Sequence, residues 1–293
     1  MEKLRGTFVV MVTPFTQDEQ LDEKGFRANI DWYIAEGIHG VICLGSTGEF
    51  ANLSNEERRK VIDLTVDQVN GRVPVIAGTA AHSTRHTIEL TEYAKNAGVD
   101  AALIVAPFYG LPTQEDLYHH YKDIAENVDI PIMLYNNPWT SGVDMLPPLI
   151  ERLSAIEKIP YIKDSTGDIK RVHEIMRRCG DSIDVWCGWD DLAYECFFLG
   201  CGGWVCPSAN FMPKMTTELF TLVDNKEYGK AKALFFKMLP LLSYLEEGQL
   251  LAKVKEAMNM IGKAGGKPIK PFLPVTEDQR AELQNMMKDV GLL

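Results

Sequence analysis

Short apolar and β-branched runs alternate with longer amphipathic segments along most of the chain. The apolar runs predict eight strands, at residues 8–13, 41–44, 73–78, 101–106, 131–135, 161–163, 185–188 and 203–206. Amphipathic periodicity predicts helices between strands, for example at residues 56–68, 83–97, 114–127 and 169–178. Ser54, followed three residues later by Glu57, is typical of a capping box at a helix start.

The order of these elements predicts the fold. Strands that are apolar throughout and separated by helices indicate a parallel sheet covered on both faces. Eight consecutive units favour a closed (β/α)8 TIM barrel over an open sheet. Further helical runs follow at residues 215–223, 228–245, 249–261 and 277–290. We therefore expect a barrel at residues 1–224 and a small C-terminal helical extension, packed on the barrel, at residues 225–293.

Composition narrows the classes of partner. The chain has 293 residues and a formal net charge of −11, so nucleic acid and anionic lipid are not expected to bind. No apolar run approaches the ~20 residues that a membrane helix needs. Residues 1–8 lack the apolar segment of a secretion signal, and the expected compartment is the cytoplasm.

The cysteines and histidines raise the question of a metal site. The six cysteines form no Cys-x-x-Cys pair, and we expect buried, reduced thiols rather than a site built from Cys196, Cys201 and Cys206. His119 and His120 are adjacent, so on a helix they point about 100° apart, and a solvated helix face is favoured. No metal is expected.

The second and fifth predicted strands end in residues that suit an anion-binding cavity. The run 45–49 has the sequence Gly-Ser-Thr-Gly-Glu. Its glycines let backbone N–H groups converge on an anion, and the hydroxyls of Ser46 and Thr47 add donors, although a plain glycine turn is the alternative. Tyr135 ends the fifth strand as either a core residue or a proton shuttle.

Lys163, at the end of the sixth strand, carries the strongest chemical signal. Side chains at the carboxyl ends of barrel strands face the active site. Burial disfavours a charged amine and lowers its pKa, and a neutral amine can attack the carbonyl of a 2-oxo acid to form a Schiff base. A surface lysine is the alternative. Together, Lys163, Tyr135 and the turn at 45–49 predict one cavity where three strands end.

These residues belong to a longer series of motifs, in which the chain resembles the dihydrodipicolinate synthase / N-acetylneuraminate lyase family. The matching segments lie at residues 6–15, 45–49, 106–109, 135–138, 162–168 and 202–210. The resemblance implies a (β/α)8 barrel, a homotetramer, and a class I lyase that acts on pyruvate and an aldehyde. It also implies no metal and no organic cofactor, because the substrate is held as a lysine imine.

The resemblance also implies residue roles. Lys163 is the Schiff-base lysine, and Tyr135 moves protons to and from the imine. Ser46 and Thr47 bind the 2-oxo acid carboxylate, with Thr47 linked to Tyr135. Tyr109 reaches into the site of a neighbouring subunit and completes a hydroxyl relay. Two further matching positions line the pyruvate pocket: Gly188 and Val205.

Two departures bear on the second substrate. Biosynthetic synthases of the family carry an arginine where this chain has Thr140, and a missing guanidinium removes a carboxylate clamp. Asp190 and Asp191, after Gly188-Trp189, resemble the sialic acid lyase arrangement, in which acids bind sugar hydroxyls. An acidic cap on the following helix is the alternative.

These departures lead to a hypothesis about the reaction. We expect an aldolase that releases pyruvate from a 2-keto-3-deoxy sugar acid or a sialic-acid-like substrate. The smaller acid is favoured, because Pro207 stands where sialic acid lyases tend to have serine and Trp139 adds bulk beside the pocket. The alternatives are synthesis of 4-hydroxy-tetrahydrodipicolinate from pyruvate and aspartate semialdehyde, and a dehydratase or deaminase that uses the same imine. A non-catalytic 2-oxo acid binder is disfavoured.

Overall fold

Eight parallel strands close into a barrel in the order of the chain, in a computed structural model that describes residues 3–293. Residues 1–2 of the predicted barrel segment, and of the segment considered for a secretion signal, lie outside the described residues. The strands are β1 Gly6–Val10, β2 Gly40–Cys43, β3 Val75–Gly78, β4 Ala101–Val105, β5 Ile132–Asn136, β6 Tyr161–Asp164, β7 Asp184–Cys187 and β8 Gly203–Cys206. The predicted (β/α)8 barrel is confirmed.

Helices follow the strands around the barrel and continue beyond β8. They are α1 Glu23–Ala35, α2 Asn55–Val69, α3 Thr84–Ala97, α4 Gln114–Asn127, α5 Pro138–Ser141, α6 Pro147–Ser154, α7 Ile169–Cys179, α8 Ala193–Phe198, α9 Pro213–Asp224, α10 Tyr228–Glu246, α11 Leu250–Met260 and α12 Glu277–Val290. Ser54 caps α2 with both bonds of the predicted capping box, from and to Glu57. Within residues 3–293, every helix is too short or too polar to cross a lipid bilayer.

The first strand differs from its prediction at both ends. It starts earlier, because Gly6 donates its N–H to Gly202 O at 3.0 Å with φ +105°, and it ends at Val10 instead of residue 13. The next residues stay buried, but the N–H of Val12 donates to the side chain of Asn210 at 3.0 Å and not to a strand. Residues 11–13 are apolar or buried because they remain in the core after the strand ends, and this is why the predicted strand was too long.

Aromatic side chains fill the centre of the barrel beside glycines on neighbouring strands. Phe8 and Trp186 meet edge to face with ring centroids 5.0 Å apart, and both are fully buried. A Cβ at Gly40 would stand 2.3 Å from the Phe8 ring, and one at Gly203 would stand 2.4 Å from the Trp186 ring. Large and small residues thus alternate to fill the interior without voids.

The segment after β8 bonds to the barrel through main-chain carbonyls and polar side chains. Helix α9 ends at Asp224 and α10 begins at Tyr228, so the predicted boundary at residues 224 and 225 falls between helices. Asn29 of α1 donates to Ala264 O at 2.8 Å, and Lys255 of α11 donates to Thr13 O, in the chain after β1, at 2.9 Å. The division of the chain into a barrel and an extension stays a prediction.

Cys196 lies within hydrogen-bonding distance of Cys187 and of Cys201. All six cysteines are buried and unbridged, and no group of three or more His, Cys, Asp or Glu side chains between residues 3 and 293 is arranged to hold a metal ion. His119 is exposed beside Glu115, whereas His120 is buried and bonds Thr84 at 2.9 Å. The expected solvated helix face is wrong for His120, because α4 packs this edge against α3.

A glycine of β3 provides a test of barrel packing. In a Gly78→Ala variant the new Cβ would stand 1.9 Å from the carbonyl oxygen of Leu44, which is backbone and cannot rotate away. We expect a loss of about 2–3 kcal/mol in the free energy of unfolding, measured by urea denaturation. Gly229→Ala in α10, where an added Cβ meets no atom within 4 Å, is the control and should be neutral or slightly stabilising. Equal unfolding midpoints for the two variants would contradict this packing.

Candidate active site

The register between β5 and β6 brings Lys163 and Tyr135 together. These residues are direct partners in the parallel pairing, and each is 4% exposed. The Lys163 Nζ lies 4.0 Å from the centroid of the Tyr135 ring. The two residues that sequence analysis singled out on separate strands therefore lie side by side at the carboxyl ends of β5 and β6.

The Tyr135 hydroxyl is held in a polar environment. Asn137 donates to it from Nδ2 at 2.9 Å, and Ser46 and Lys163 also interact with it. Burial alone would raise the pKa of Tyr135, but the charge of Lys163 and these hydrogen bonds outweigh burial and lower the pKa below its ordinary value. The expected link from Thr47 is not among the hydrogen bonds of the described residues, and Asn137, two residues after Tyr135, takes that place.

Gly188 leaves the space that the lysine side chain occupies. A Cβ at position 188 would stand 2.8 Å from Lys163 Cε and 2.2 Å from Ser165 Oγ. The Gly188 carbonyl accepts from Ser165 Oγ at 2.7 Å, which joins the ends of β6 and β7 beside the amine. Val205 is fully buried in β8, two strands from Lys163.

The turn after β2 exposes unused hydrogen-bond donors. Leu44 and Glu49, at its two ends, have φ of +57° and +59°, which is uncommon for residues other than glycine. The turn is closed by Gly48 N–H to Gly45 O and by Glu49 N–H to Ser46 O, each at 3.0 Å. Within residues 3–293 the amides of Ser46 and Thr47 donate to no protein group, so they and the adjacent hydroxyls can bind a carboxylate.

A partly buried network of hydrogen bonds begins at Asn136, next to Tyr135, and sequence analysis did not identify it. Asn136 donates from Nδ2 to Asp144 at 3.0 Å and to Asp164 at 3.2 Å. Asp144 in turn forms a bidentate pair with Arg171 at 2.7 and 2.8 Å, which lowers the pKa of Asp144. These bonds fix the ends of β5 and β6. The only signal in the sequence was the position of Asn136 beside Tyr135.

Asp190, which sequence analysis considered as a ligand for substrate hydroxyls, has both carboxylate oxygens engaged within the protein. It is fully buried, with Oδ1 accepting from Trp204 Nε1 at 2.8 Å and Oδ2 accepting from the backbone N–H of Ser208 at 3.0 Å. Burial raises its pKa to about 6, although Ser208, Trp204 and Lys163 oppose the rise. The Asp190 carboxylate thus links the chain after β7 to Trp204 of β8 and to Ser208 after it. The N-cap of the following helix, α8, is Leu192, so the Asp190 side chain does not cap it.

Asp191 and Glu246 form the outer part of this acidic cluster. Asp191 is half-buried and accepts from Ser243 Oγ of α10 at 3.2 Å. Glu246, the last residue of α10, accepts from the backbone N–H of Asp190 at 3.1 Å. Burial, followed by the carboxylate of Asp190, raises the pKa of Glu246 to about 8, against the effect of Lys163. Sequence analysis missed Glu246, since it lies far along the chain from β7.

Tyr109 and Thr140 lie at the rim. Tyr109 is 95% exposed with φ +75°, so within one protomer its side chain points into solvent. Thr140 is exposed, and its backbone N–H donates to Asn137 Oδ1 at 3.3 Å. A cavity of about 250 Å³ lies between Ser46 and Thr140. Among residues 3–293, the lining of this cavity contains no lysine or arginine.

Comparison with known proteins gives a consistent result. A model of the dihydrodipicolinate synthetase family matches residues 3–290. The chain is 40% identical over 291 residues to a 4-hydroxy-tetrahydrodipicolinate synthase of Thermodesulfovibrio yellowstonii, covering 99% of both chains. It is also 40% identical to the enzyme of that name from Syntrophus aciditrophicus, again over 99% of each.

Solved structures agree with these relatives. The chloride-inhibited dihydrodipicolinate synthase of Acinetobacter baumannii, complexed with pyruvate, superposes with a TM-score of 0.97 and 38% identity, covering 99% of this chain and 100% of that one. The Thermotoga maritima dihydrodipicolinate synthase superposes with a TM-score of 0.95 and 31% identity, covering 99% of both.

The fold and the site define a class of protein: a (β/α)8 barrel enzyme with a buried lysine and tyrosine at the carboxyl ends of adjacent strands. Within that class, the chain belongs to the dihydrodipicolinate synthetase family of lyases.

The elevated pKa of Glu246 makes stability depend on pH. Between its ordinary value of 4.5 and about 8, the folded protein retains a proton that the unfolded chain has lost, so this group stabilises the fold less as pH rises. Glutamine keeps the acceptor for the Asp190 N–H but cannot ionise. We expect Glu246→Gln to gain stability relative to the parent protein as pH increases through this window, by at most about 1.4 kcal/mol per pH unit.

Urea denaturation of the Glu246→Gln variant at pH 5, 6.5 and 8 measures this difference. Glu247→Gln, at the exposed neighbouring position, is the control and should follow the parent protein. A constant difference between Glu246→Gln and the parent across these pH values would contradict the assignment.

Proposed function

We propose that the protein condenses pyruvate with an aldehyde through an imine on Lys163, and that its reaction is the synthesis of 4-hydroxy-tetrahydrodipicolinate from pyruvate and aspartate semialdehyde. The observation that carries the imine chemistry is the buried Lys163 Nζ, 4.0 Å from the Tyr135 ring centroid. The second substrate is supported by full-length similarity to several synthases of this name.

In the proposed mechanism, Lys163 Nζ loses its extra proton, and the resulting amine attacks the C2 carbonyl of pyruvate. Tyr135 transfers the protons that allow the carbinolamine to lose water and become an imine. Loss of a proton from C3 gives an enamine, because the imine nitrogen accepts the electron pair. C3 then bonds to the aldehyde carbon, and the aldehyde oxygen takes up a proton. The amino group of the bound aspartate semialdehyde attacks C2, and cleavage of the bond from C2 to Nζ closes the ring and returns Lys163 to its amine. No metal or organic cofactor is required.

The turn at residues 45–49 would hold the pyruvate carboxylate. The amides of Ser46 and Thr47 are unused within residues 3–293, and their hydroxyls add donors at the same turn. Gly188 leaves room for the imine beside the lysine stem, since a side chain there would collide with Lys163 Cε. We assign Val205 to the hydrophobic wall of the pocket.

Tyr109 supports an oligomeric enzyme. In a monomer, Tyr109 would leave its aromatic ring 95% exposed to water and would hold an uncommon backbone angle with no contact to offset it. We propose that it enters the site of a neighbouring subunit in a homotetramer. A second exposed aromatic pair, Phe198 and Tyr228 with ring centroids 5.4 Å apart, supports a further contact between subunits.

A pyruvate-releasing aldolase for a sugar acid is the second candidate, and it has one observation in its favour. The rim cavity beside Thr140 contains no guanidinium to bind the carboxylate of aspartate semialdehyde. The carboxylates expected to bind sugar hydroxyls are otherwise engaged, however: Asp190 with Trp204 and Ser208, and Asp191 with Ser243. The condensing synthase is therefore favoured. A dehydratase or deaminase would use the same imine.

Product analysis distinguishes these reactions. The purified protein is incubated with pyruvate and aspartate semialdehyde, and separately with a panel of 2-keto-3-deoxy sugar acids. We expect a seven-carbon condensation product from the first mixture and little release of pyruvate from the panel. Rapid pyruvate release from a sugar acid, without condensation in the first mixture, would reverse the assignment.

Removing the Tyr135 hydroxyl tests the proton transfer. We expect Tyr135→Phe to lower kcat by about 10²–10⁴-fold, because phenylalanine fills the same space but cannot exchange a proton. Tyr121→Phe is the matched control, since that hydroxyl is fully buried and bonds only Ile104 O, at 3.1 Å, outside the site. Equal kcat values for the two variants would contradict the role of Tyr135.

A further inference from the structure

We propose that the buried ion pair of Glu49 and Lys255 is a positioning device, through which α11 holds the turn at residues 45–49 in the conformation that binds pyruvate. The inference deepens the proposed function and rests on it. It assigns to two residues outside the reacting groups the task of setting the affinity for the first substrate.

Lys255 contacts three polar groups inside the protein. It is 1% exposed on α11, and its Nζ donates to Thr13 O and to Lys267 O, each at 2.9 Å. The same Nζ forms a salt bridge with Glu49 Oε1. One ammonium group thus binds the chain after β1, the turn after β2 and the segment that follows α11.

Glu49 completes the junction from the side of the turn. Its side chain is fully buried, and its second oxygen, Oε2, accepts from the backbone N–H of Ile269 at 2.8 Å. Its backbone is in the left-handed conformation, with φ +59°, and its N–H closes the turn onto Ser46 O at 3.0 Å. The residue that carries the buried carboxylate is therefore also the residue that shapes the turn.

A second hydrogen bond links the residues around the ion pair to Gly48 of the turn. Thr13, whose carbonyl accepts from Lys255, donates its hydroxyl to Gly48 O at 2.8 Å. The carbonyl of Gly48 and the carboxylate of Glu49 are thus both anchored, while the amides of Ser46 and Thr47 on the same turn donate to no group within residues 3–293. Anchors at one end of the turn and free donors at the other are what a preorganised anion site requires.

Stability alone does not account for this pair. Two buried charges gain little over apolar side chains of the same size, because desolvation offsets their attraction. The two charged groups, however, have three further partners, Thr13 O, Lys267 O and the Ile269 N–H, which fix the direction of both side chains. Glu49 also holds an uncommon backbone angle that needs such support.

The carboxylate of pyruvate is bound both before and during the reaction, so a loosened turn weakens binding of the ground state and of the transition state alike. The expected effect is a higher KM for pyruvate with a nearly constant kcat.

The chain contains a matched control on the same helix. Lys253 is also buried, at 3% exposure, but its Nζ binds Tyr244 O and lies over the Tyr244 ring within the segment after β8. Lys253→Met removes a buried ammonium from α11 without touching the turn. It reproduces any general loss of stability and should leave pyruvate binding unchanged.

The test measures pyruvate affinity by borohydride trapping. The parent protein, Lys255→Met, Lys253→Met and the double variant Glu49→Gln/Lys255→Met are treated with borohydride at graded pyruvate concentrations, and the adduct is quantified by intact mass. The double variant leaves no unpaired charge buried, and thermal unfolding confirms which variants are folded. We expect the half-saturating pyruvate concentration to rise about tenfold in Lys255→Met and in the double variant only.

Three outcomes are informative. If the double variant folds and traps pyruvate at the same concentration as the Lys253→Met control, the positioning role is wrong. If the parent protein forms no adduct, the proposed imine itself fails, which is a separate result. If both Lys255 variants fail to fold, Thr13→Val replaces them: it removes only the bond to Gly48 O, and an unchanged pyruvate affinity in that variant would overturn the proposal.

Discussion

The pairing of β5 with β6 is the constraint on which the site depends. Because the strands are parallel and in register, Tyr135 stands opposite Lys163, and closure of the barrel leaves both residues 4% exposed. A slip of one residue would turn the lysine to the other face of its strand. The network of Asn136, Asp144 and Asp164 fixes the ends of both strands and so protects this register.

The carboxylates near Lys163 are the second constraint on the site, because the substrate is an anion. The chain carries a formal net charge of −11, and the nearby carboxylates of Asp190 and Asp191 accept hydrogen bonds from protein groups, which offset part of their negative potential. Asp190 is held by Trp204 and Ser208, and burial and neighbouring acids raise the pKa of Glu246 to about 8. The surface is acidic, while the turn at 45–49 offers unused backbone donors.

Much of this could be predicted from the sequence, for a physical reason. Strand and helix periodicity predicts the barrel, and barrel geometry brings strand ends together, so the sequence predicts that Lys163 and Tyr135 share one cavity. The fine contacts were beyond that reasoning. Whether Thr47 or Asn137 bonds the Tyr135 hydroxyl depends on side-chain rotamers. The hydrogen bond from Trp204 to the Asp190 carboxylate joins side chains of two different strands, which the sequence does not indicate. The pair of Glu49 and Lys255 joins residues distant in sequence, which no local pattern reveals.

A crystal structure of the protein soaked in pyruvate is the most direct measurement of the central claim. The account predicts continuous electron density from Lys163 Nζ to C2 of pyruvate, with the carboxylate against the amides of Ser46 and Thr47. Pyruvate bound elsewhere, or a Lys163 side chain directed away from it at saturating concentration, would contradict the account.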